Sequence, residues 1–485
     1  MEVSADLLVI GGGINGAGIA RDAAGRGLSV TLVEKADLAS ATSSASSKLI
    51  HGGLRYLEHF EVRLVAESLA ERETVLRIAG HLTWPTRFVM PHVPELRPRW
   101  MIRTGLFLYD HLARRSLLPG SHAVRLDRAP YASGLRADLK HGFVYSDCRV
   151  DDARLVVVNA LDAAQRGARV LVGTECLAAR RAGGAWSVEL SSGETIHARA
   201  IVNAAGPWVK EVLNARVGTA TRDSVRLVKG SHIVLPRLYE GTHAFILQND
   251  DRRVIFMIPY EDRFTLVGTT DVDFDGDARS PDASEAEVDY LCRALARYLE
   301  RAPRPADVIW RYAGVRPLYD DGSQDPSAIT RDYTLRVDDA DGAAPVLSVF
   351  GGKLTTYRRL AEAVMDKLAP YFPAMKPAWT GRAQLPGSDF SDREAAKREL
   401  QQRYSRVSPN VLQGVFRRHG TLTAEVLGDG SLGEYYGAGL TERELAYLTA
   451  REWARSAEDV LWRRTKCGLR MTDAQRARVT HVLGR

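Results

Sequence analysis

Val9-Ile10-Gly11-Gly12-Gly13-Ile14-Asn15-Gly16-Ala17-Gly18-Ile19-Ala20, entered directly from Leu7-Leu8, reads as strand, tight turn, helix. Gly11, Gly13 and Gly16 match G-x-G-x-x-G. The first glycine permits the turn, the second lets backbone approach a pyrophosphate, and the third lets helix pack on strand. The helix N-terminus offers N–H groups and a positive dipole end to phosphates, which places Ile14 and Asn15 at the same contact. A second strand, Val30-Thr31-Leu32-Val33, ends in Glu34, roughly 20 residues on, where a carboxylate accepts from ribose hydroxyls. Strand, glycines, helix, strand and acid in this order predict a dinucleotide-binding unit. Gly428-Asp429-Gly430-Ser431-Leu432-Gly433 repeats the glycine spacing, but no strand ending in an acid follows, so it reads as a loop. One dinucleotide site leaves no evident place for a nicotinamide beside it.

The chain has 485 residues, too many for one simple core, so two or three domains are expected. With 45% hydrophobic and 26% charged residues it has the composition of a soluble globular protein. A net charge of +6 fits a phosphorylated substrate or an anionic membrane surface, and no aromatic-plus-basic motif of a nucleic-acid binder stands out. Four scattered cysteines, without C-x-x-C, point to reduced thiols and to no metal site. The first strand begins within the opening ten residues, leaving no signal peptide. No apolar run reaches the ~18 residues of a membrane span. The expected location is the cytoplasm, with attachment to the membrane's cytoplasmic face at most peripheral.

Beyond the first unit comes a small, hydroxyl-rich run, Ala39 to Lys48. Helical spacing marks 58–80 and Asp151 to Ala164, and the prolines from Pro85 to Pro98 break helix. Trp186 to Ile196 suggests a hairpin, and Ala200 to Gly206 a buried strand meeting a turn. From about 225 to 350 the chain reads as strand-rich. Pro370, Pro373, Pro377 and Leu385-Pro386-Gly387 mark a linker. The tail is helical, with capping boxes expected at Ser391-Asp392-Arg393-Glu394 and Thr441-Glu442-Arg443-Glu444. The fold class is α/β: a Rossmann-like dinucleotide-binding domain (1–75, 150–215, 340–370), an interleaved strand-rich α+β substrate domain (76–149, 216–339), and an all-helical C-terminal domain (388–485).

Four distant stretches carry the chemistry. They are Thr42 to Tyr56, with Ser47-Lys48-Leu49-Ile50-His51-Gly52-Gly53-Leu54-Arg55-Tyr56; Asn203 to Trp208; Gly268-Thr269-Thr270-Asp271; and Phe350-Gly351-Gly352-Lys353-Leu354-Thr355-Thr356-Tyr357-Arg358. Short hydroxyls at Thr42, Ser43, Ser46 and Ser47 reach phosphate oxygens and a ring without bulk. Gly52 and Gly53 let backbone lie against a planar group. Ala205 and Gly206, before Trp208, end a buried strand with small residues. Gly351-Gly352 precede an expected helix from Leu354 to Ala369, whose N-terminus favours negative charge on a nearby ring.

These stretches, with Gly314-Val315-Arg316-Pro317-Leu318, resemble the aerobic, FAD-dependent glycerol-3-phosphate dehydrogenases, within the D-amino-acid-oxidase-like flavoproteins. The resemblance covers nearly the whole chain. It implies FAD, held noncovalently although His51 beside two glycines raises a histidyl tether. It also implies oxidation of glycerol 3-phosphate to dihydroxyacetone phosphate, with hydride passing to flavin N5 and electrons to membrane quinone. Cofactor contacts then extend over Lys48, Leu49, His51, Gly352, Lys353, Leu354 and Thr355. A dianionic substrate calls for cations, so Arg55, Arg331 and Lys353, with Tyr56, are assigned to phosphate or terminal hydroxyl. Arg316 is placed at the reacting carbon, His232 is the general-base candidate, and Thr269 and Asp271 orient substrate or His232. The segment Arg97 to Arg115 has the composition of an interfacial helix, or equally of a helix packed on its own core. The import segment and calcium-binding loops of mitochondrial relatives are not visible, so a bacterial-type enzyme is expected. Two other readings stay open: an oxygen-dependent glycerol-3-phosphate or amine oxidase of the same fold, and a flavin-bearing RNA-binding or RNA-modifying protein. The mixed charges of the tail argue against the last. Oligomeric state is not legible, and a homodimer stays open.

Overall fold

The computed structural model describes residues 4–219, 221–251, 253–320, 332–339 and 342–484. Strand β1 (Ala5–Ile10), helix α1 (Ile14–Gly25) and strand β2 (Val30–Glu34) form the expected unit, and β1 and β2 pair in parallel. They lie inside an eight-stranded sheet. Thr195–Asn203 flanks β1, Val346–Gly351 follows it, and Arg169–Val172 flanks β2, all parallel to their neighbours. The buried centre of this sheet, such as Leu7 to Ile10 and Ala200 to Val202, is a run of apolar residues because both of its faces are covered. Helices α1, Asp152–Gln165 and Tyr357–Leu368 pack on one face, and their Ala, Val and Leu side chains merge with Leu7, Val9 and Leu32 in one core. The expected hairpin forms as Ala185–Leu190 turning into Thr195–Asn203; Cys176–Ala182, not expected, pairs along Ala185–Leu190 from the other side, and this ribbon closes the other face around buried Trp186.

A second, ten-stranded sheet is built around the long strand Val225–Pro236. It also takes in Thr83–Pro91, which runs through Pro85 and Pro91 as strand. The prolines break helix, as expected, but a strand pairs along their length. A helix unforeseen in this strand-rich region, Glu285–Ala296, buries Val288, Leu291 and Leu295 against the sheet.

The tail holds the helices Arg393–Arg403, Pro409–His419, Glu442–Arg451 and Asp473–Leu483, with one short ribbon, Tyr435–Gly437 paired to Leu440–Thr441. Buried ion pairs attach it to the first sheet's helices. Arg154 meets Glu452, and Arg464 meets Asp37 at 2.7 Å. The cap at 391–394 falls one residue later than expected: Asp392 accepts from Glu394 N (2.8 Å) and Ala395 N (3.1 Å). Its carboxylate reaches both donors from that position, so Ser391 is left outside the helix. Thr441 accepts from Glu444 N as expected, but the box is not closed, because the Glu444 carboxylate is taken by Arg418 and His419. Gly428 to Gly433 is a loop.

Candidate active site

The strands β1, Thr195–Asn203 and Val346–Gly351 all run the same way and end together, so Ile10, Ala204 and Gly351 meet at the carboxyl edge of the sheet. A cavity of about 570 Å³ opens there and continues against the second sheet.

The glycine loop is shaped by contacts no side chain would survive. Gly11 has φ +111°, and a Cβ on it would lie 2.6 Å from Ala204 O. A Cβ on Gly16 would lie 1.9 Å from Gly11 O. Gly13 caps α1 without a side chain, and its only near neighbour on the Cβ side is Ser43 Oγ at 3.2 Å, so that space belongs to the cavity. Ser43 Oγ accepts from Ile14 N (3.0 Å). Glu34 accepts from Gly12 N (2.6 Å) and Ala36 N (2.8 Å), so it braces the loop as well as facing the cavity. Burial pushes its carboxyl above the ordinary value. Asn15 donates to Gly351 O (3.3 Å), while its buried Oδ1 has no partner. The cradle of small residues, the uncapped helix start and an orphaned amide oxygen fit the diphosphate and nucleoside part of FAD.

At the other end the second sheet supplies the charged groups. His232 pairs with Gly268 on one neighbouring strand and with Tyr312 on the other. Its ring stacks on Tyr312 (centroids 4.8 Å apart), its Nε2 shares a hydrogen bond with Ser47 Oγ (2.9 Å), and its Nδ1 is buried without a partner. Burial, reinforced by Arg316 and Lys48, holds its pKa well below the ordinary imidazole value. Arg316 donates to Asp271 Oδ1 (2.5 Å) and Thr269 Oγ1 (2.9 Å), and Arg55 lies 3.7 Å from the other Asp271 oxygen. One carboxylate therefore sets two guanidinium groups. Lys353 Nζ sits 4.1 Å over the Tyr56 ring. Glycines again make the room: a Cβ on Gly230 would strike Arg316 at 2.3 Å, and one on Gly268 would strike the His232 ring at 2.2 Å.

Every site residue named from the sequence lines this cavity except Gly16, Lys48, Gly52 and Arg331. Gly16 sits behind the loop, as helix packing requires. Gly52 N donates to Tyr109 Oη (2.8 Å) and its Cα faces Leu69. Lys48 turns away from the cavity: its ammonium is 2.9 Å from both Asp152 oxygens and 2.8 Å from Ser44 O, a matched buried pair with no charge left for a cofactor. Arg331 lies outside the described residues. The helix expected from Leu354 starts at Tyr357 and ends at Leu368. Gly351 and Gly352 both have positive φ, and Thr355 Oγ1 accepts from His51 N (3.2 Å), so the chain winds through the turn before helix begins.

Two partners were not read from the sequence. Tyr312 backs His232 and donates to Ser46 O (2.9 Å). Glu287 accepts from Ser231 Oγ and Thr270 Oγ1 (2.8 Å each) and pairs with Lys229 (2.8 Å), tying the His232 strand to the Thr269–Asp271 turn. These contacts overcome the opposing effect of burial and hold its carboxyl at about 2. The signal was present as Ser284-x-x-Glu287, a capping box, but its second task depends on packing.

A glycine-bound phosphate cradle joined to a cationic pocket defines a dinucleotide-dependent oxidoreductase. The family of FAD dependent oxidoreductases matches residues 6–358, and the C-terminal domain of alpha-glycerophosphate oxidase matches residues 378–484. The chain belongs to the FAD-dependent oxidoreductase family, and its cofactor is FAD. Among curated relatives, glycerol-3-phosphate dehydrogenase of Pseudomonas aeruginosa is 51% identical, over 99% of this chain and 94% of that one. D-erythritol 1-phosphate dehydrogenase of Brucella abortus is 49% identical, over 97% and 96%. The solved structure of glycerol-3-phosphate dehydrogenase from Bacillus halodurans, complexed with FAD, is 27% identical with a TM-score of 0.74, over 99% and 94%. Among the described residues, no helix is long and apolar enough to cross a membrane.

Proposed function

We propose that this enzyme oxidises sn-glycerol 3-phosphate to dihydroxyacetone phosphate and passes the electrons to a membrane quinone. The observation that carries the reading is the charged end of the FAD cavity, where Arg55, Arg316 and Lys353 converge with His232. Bound FAD supplies the hydride acceptor, at N5. Arg55 and Lys353, with Tyr56, take the substrate phosphate and terminal hydroxyl; Arg331 is proposed to join them. Arg316, aimed by Asp271 and Thr269, polarises the secondary hydroxyl and stabilises alkoxide character. His232, neutral because of its burial, takes the hydroxyl proton on a ring nitrogen, with Ser47 fixing the ring. Anaerobic mixing with sn-glycerol 3-phosphate should bleach the flavin's visible band within the enzyme's turnover time. A flavin that this alcohol leaves oxidised overturns the reading.

The 49% identical erythritol-phosphate relative favours one second reading, a longer polyol phosphate as substrate. Comparing kcat/KM for D-erythritol 1-phosphate and glycerol 3-phosphate separates the two. Rapid oxygen consumption without quinone would point to an oxidase instead.

The pH profile tests His232. A base whose pKa is lowered keeps its lone pair until pH falls below that lowered value. Activity should therefore show no acid limb at the ordinary imidazole value of about 6.5. A limb at that position, moved by His232→Asn, would mean the ring titrates normally.

Membrane attachment is supported by the helix Arg99–His111. It buries Ile102, Leu106 and Tyr109 but leaves Trp100 70% and Phe107 60% exposed. Arg97 is held by Glu58 (2.6 Å), so Arg99 and Arg103 are the cations left for anionic lipid. Arg99→Glu with Arg103→Glu should abolish co-sedimentation with anionic liposomes at low salt. Unchanged partitioning would remove this helix as the contact.

A further inference from the structure

A second cavity, about 460 Å³, lies between the ten-stranded sheet and the C-terminal helices. The strand Val254–Tyr260 passes from one cavity to the other along a single face: Val254 and Phe256 line the FAD cavity, and Ile258 and Tyr260 line the second. Its wall carries seven Lys and Arg against four Asp and Glu. Part of that charge is already matched. Lys48 meets Asp152, Arg417 meets Glu261 (2.6 Å), Lys466 lies 3.9 Å from Asp151, and Arg237 lies 3.0 Å from Glu240.

Arg149 and Arg393 differ. Among the described residues neither makes an ion pair. Arg149 donates to Thr86 Oγ1 (3.1 Å) and Pro259 O (2.8 Å), and Arg393 to Thr83 O (2.9 Å). Burial lowers both guanidinium pKa values, that of Arg393 to about 10. The wall's two remaining acids, Asp262 and Glu394, are exposed to solvent. Among the described residues, two buried polar atoms on the same wall also lack partners, the Tyr260 hydroxyl and His81 Nε2, the latter ring being held through Nδ1 by Ser388 Oγ (2.7 Å). Burial keeps the Tyr260 phenol protonated and therefore a donor.

A desolvated guanidinium without a carboxylate, beside an unanswered hydroxyl, is a costly arrangement that an anion relieves. We propose that this cavity binds a small phosphate anion, held by Arg149, Arg393, the Tyr260 hydroxyl and the neighbouring Lys397. Phosphate suits it better than a carboxylate. It carries close to two charges near neutral pH and offers several acceptor oxygens to donors arriving from different elements. Inorganic phosphate and a phosphate monoester present the same headgroup, and the cavity has room for a few carbon atoms beyond it.

The test is equilibrium dialysis of FAD-loaded protein against radiolabelled inorganic phosphate. Arg55→Gln, Arg331→Gln and Lys353→Gln together remove the cations proposed to hold phosphate in the first cavity, so label retained by that variant reports the second. Adding Arg393→Gln and Lys397→Gln should weaken the retained binding at least about tenfold. Tyr260→Phe should weaken it severalfold while leaving Tm unchanged or higher, because it deletes a hydroxyl that the folded chain does not satisfy. Displacement of the label by glycerol 2-phosphate more tightly than by unlabelled phosphate identifies a monoester as the ligand; equal displacement identifies inorganic phosphate. Absence of retained label at about 10 mM phosphate, or retention indifferent to Arg393→Gln and Lys397→Gln, overturns the site.

Discussion

Arg316→Ala is expected to stay yellow and to lose turnover by about 10²–10³-fold, or ~3–4 kcal/mol of transition-state stabilisation. The reason is the division of labour inside the cavity. Arg316 is held on the second sheet by Asp271 and Thr269, whereas the glycine loop that shapes the diphosphate cradle belongs to the first, so FAD content should change little. Arg316 is held by Asp271 and Thr269 without being consumed, because Asp271 also faces Arg55. In the proposed mechanism, removing the guanidinium takes away the cation that stabilises charge on the substrate oxygen. It also leaves Asp271 without its guanidinium partner at 2.5 Å, and an unneutralised carboxylate nearby opposes alkoxide formation. The loss should fall in kcat more than in KM, since Arg55 and Lys353 still hold the phosphate. Arg316→Lys should recover little, because one ammonium cannot bridge Asp271, Thr269 and substrate at once. Near-normal kinetics with full flavin would remove Arg316 from the chemistry.

Gly16→Ala should yield a protein that no longer retains FAD, with affinity down at least about 100-fold, or ~3 kcal/mol. The new Cβ would fall 1.9 Å from Gly11 O, so the helix start or the loop must move, and both shape the diphosphate cradle. A destabilised fold is the competing explanation. Gly13→Ala separates them, because its Cβ meets only Ser43 Oγ and points where the cofactor passes. Gly13→Ala should keep its thermal stability as apoprotein yet lose flavin. If both variants copurify with full FAD, the glycine loop does not contact the diphosphate. Absorbance per protein and the melting temperature read out the pair.

Much of this molecule was legible before any coordinates. The glycine spacing and the acid at Glu34 placed the dinucleotide unit, and short-range rules sufficed because strand, turn and helix there are contiguous. The helix over Asp152–Gln165 and the hairpin at Ala185–Leu190 were legible for the same reason. The errors arose where a local rule met a distant partner. Gly351-Gly352 suggested an immediate helix, but Thr355 is bonded to His51, about 300 residues away in the chain, and the helix waits until Tyr357. Lys48 stood among cofactor-facing hydroxyls, yet Asp152 from another helix claims its ammonium.

Composition, spacing and the order of motifs pointed to one dinucleotide and to four candidate cations, Arg55, Arg316, Arg331 and Lys353, spread over separate stretches. Those are properties of neighbours along the backbone. Folding alone decided which cations meet the cofactor and which are spent on structure, because a charge is available only if no carboxylate from elsewhere reaches it first. Asp271 set between Arg55 and Arg316, Glu287 joined to Thr270, and Arg393 left without an acid are outcomes of strand register and helix packing, where contacts span tens to hundreds of residues and no local pattern records them.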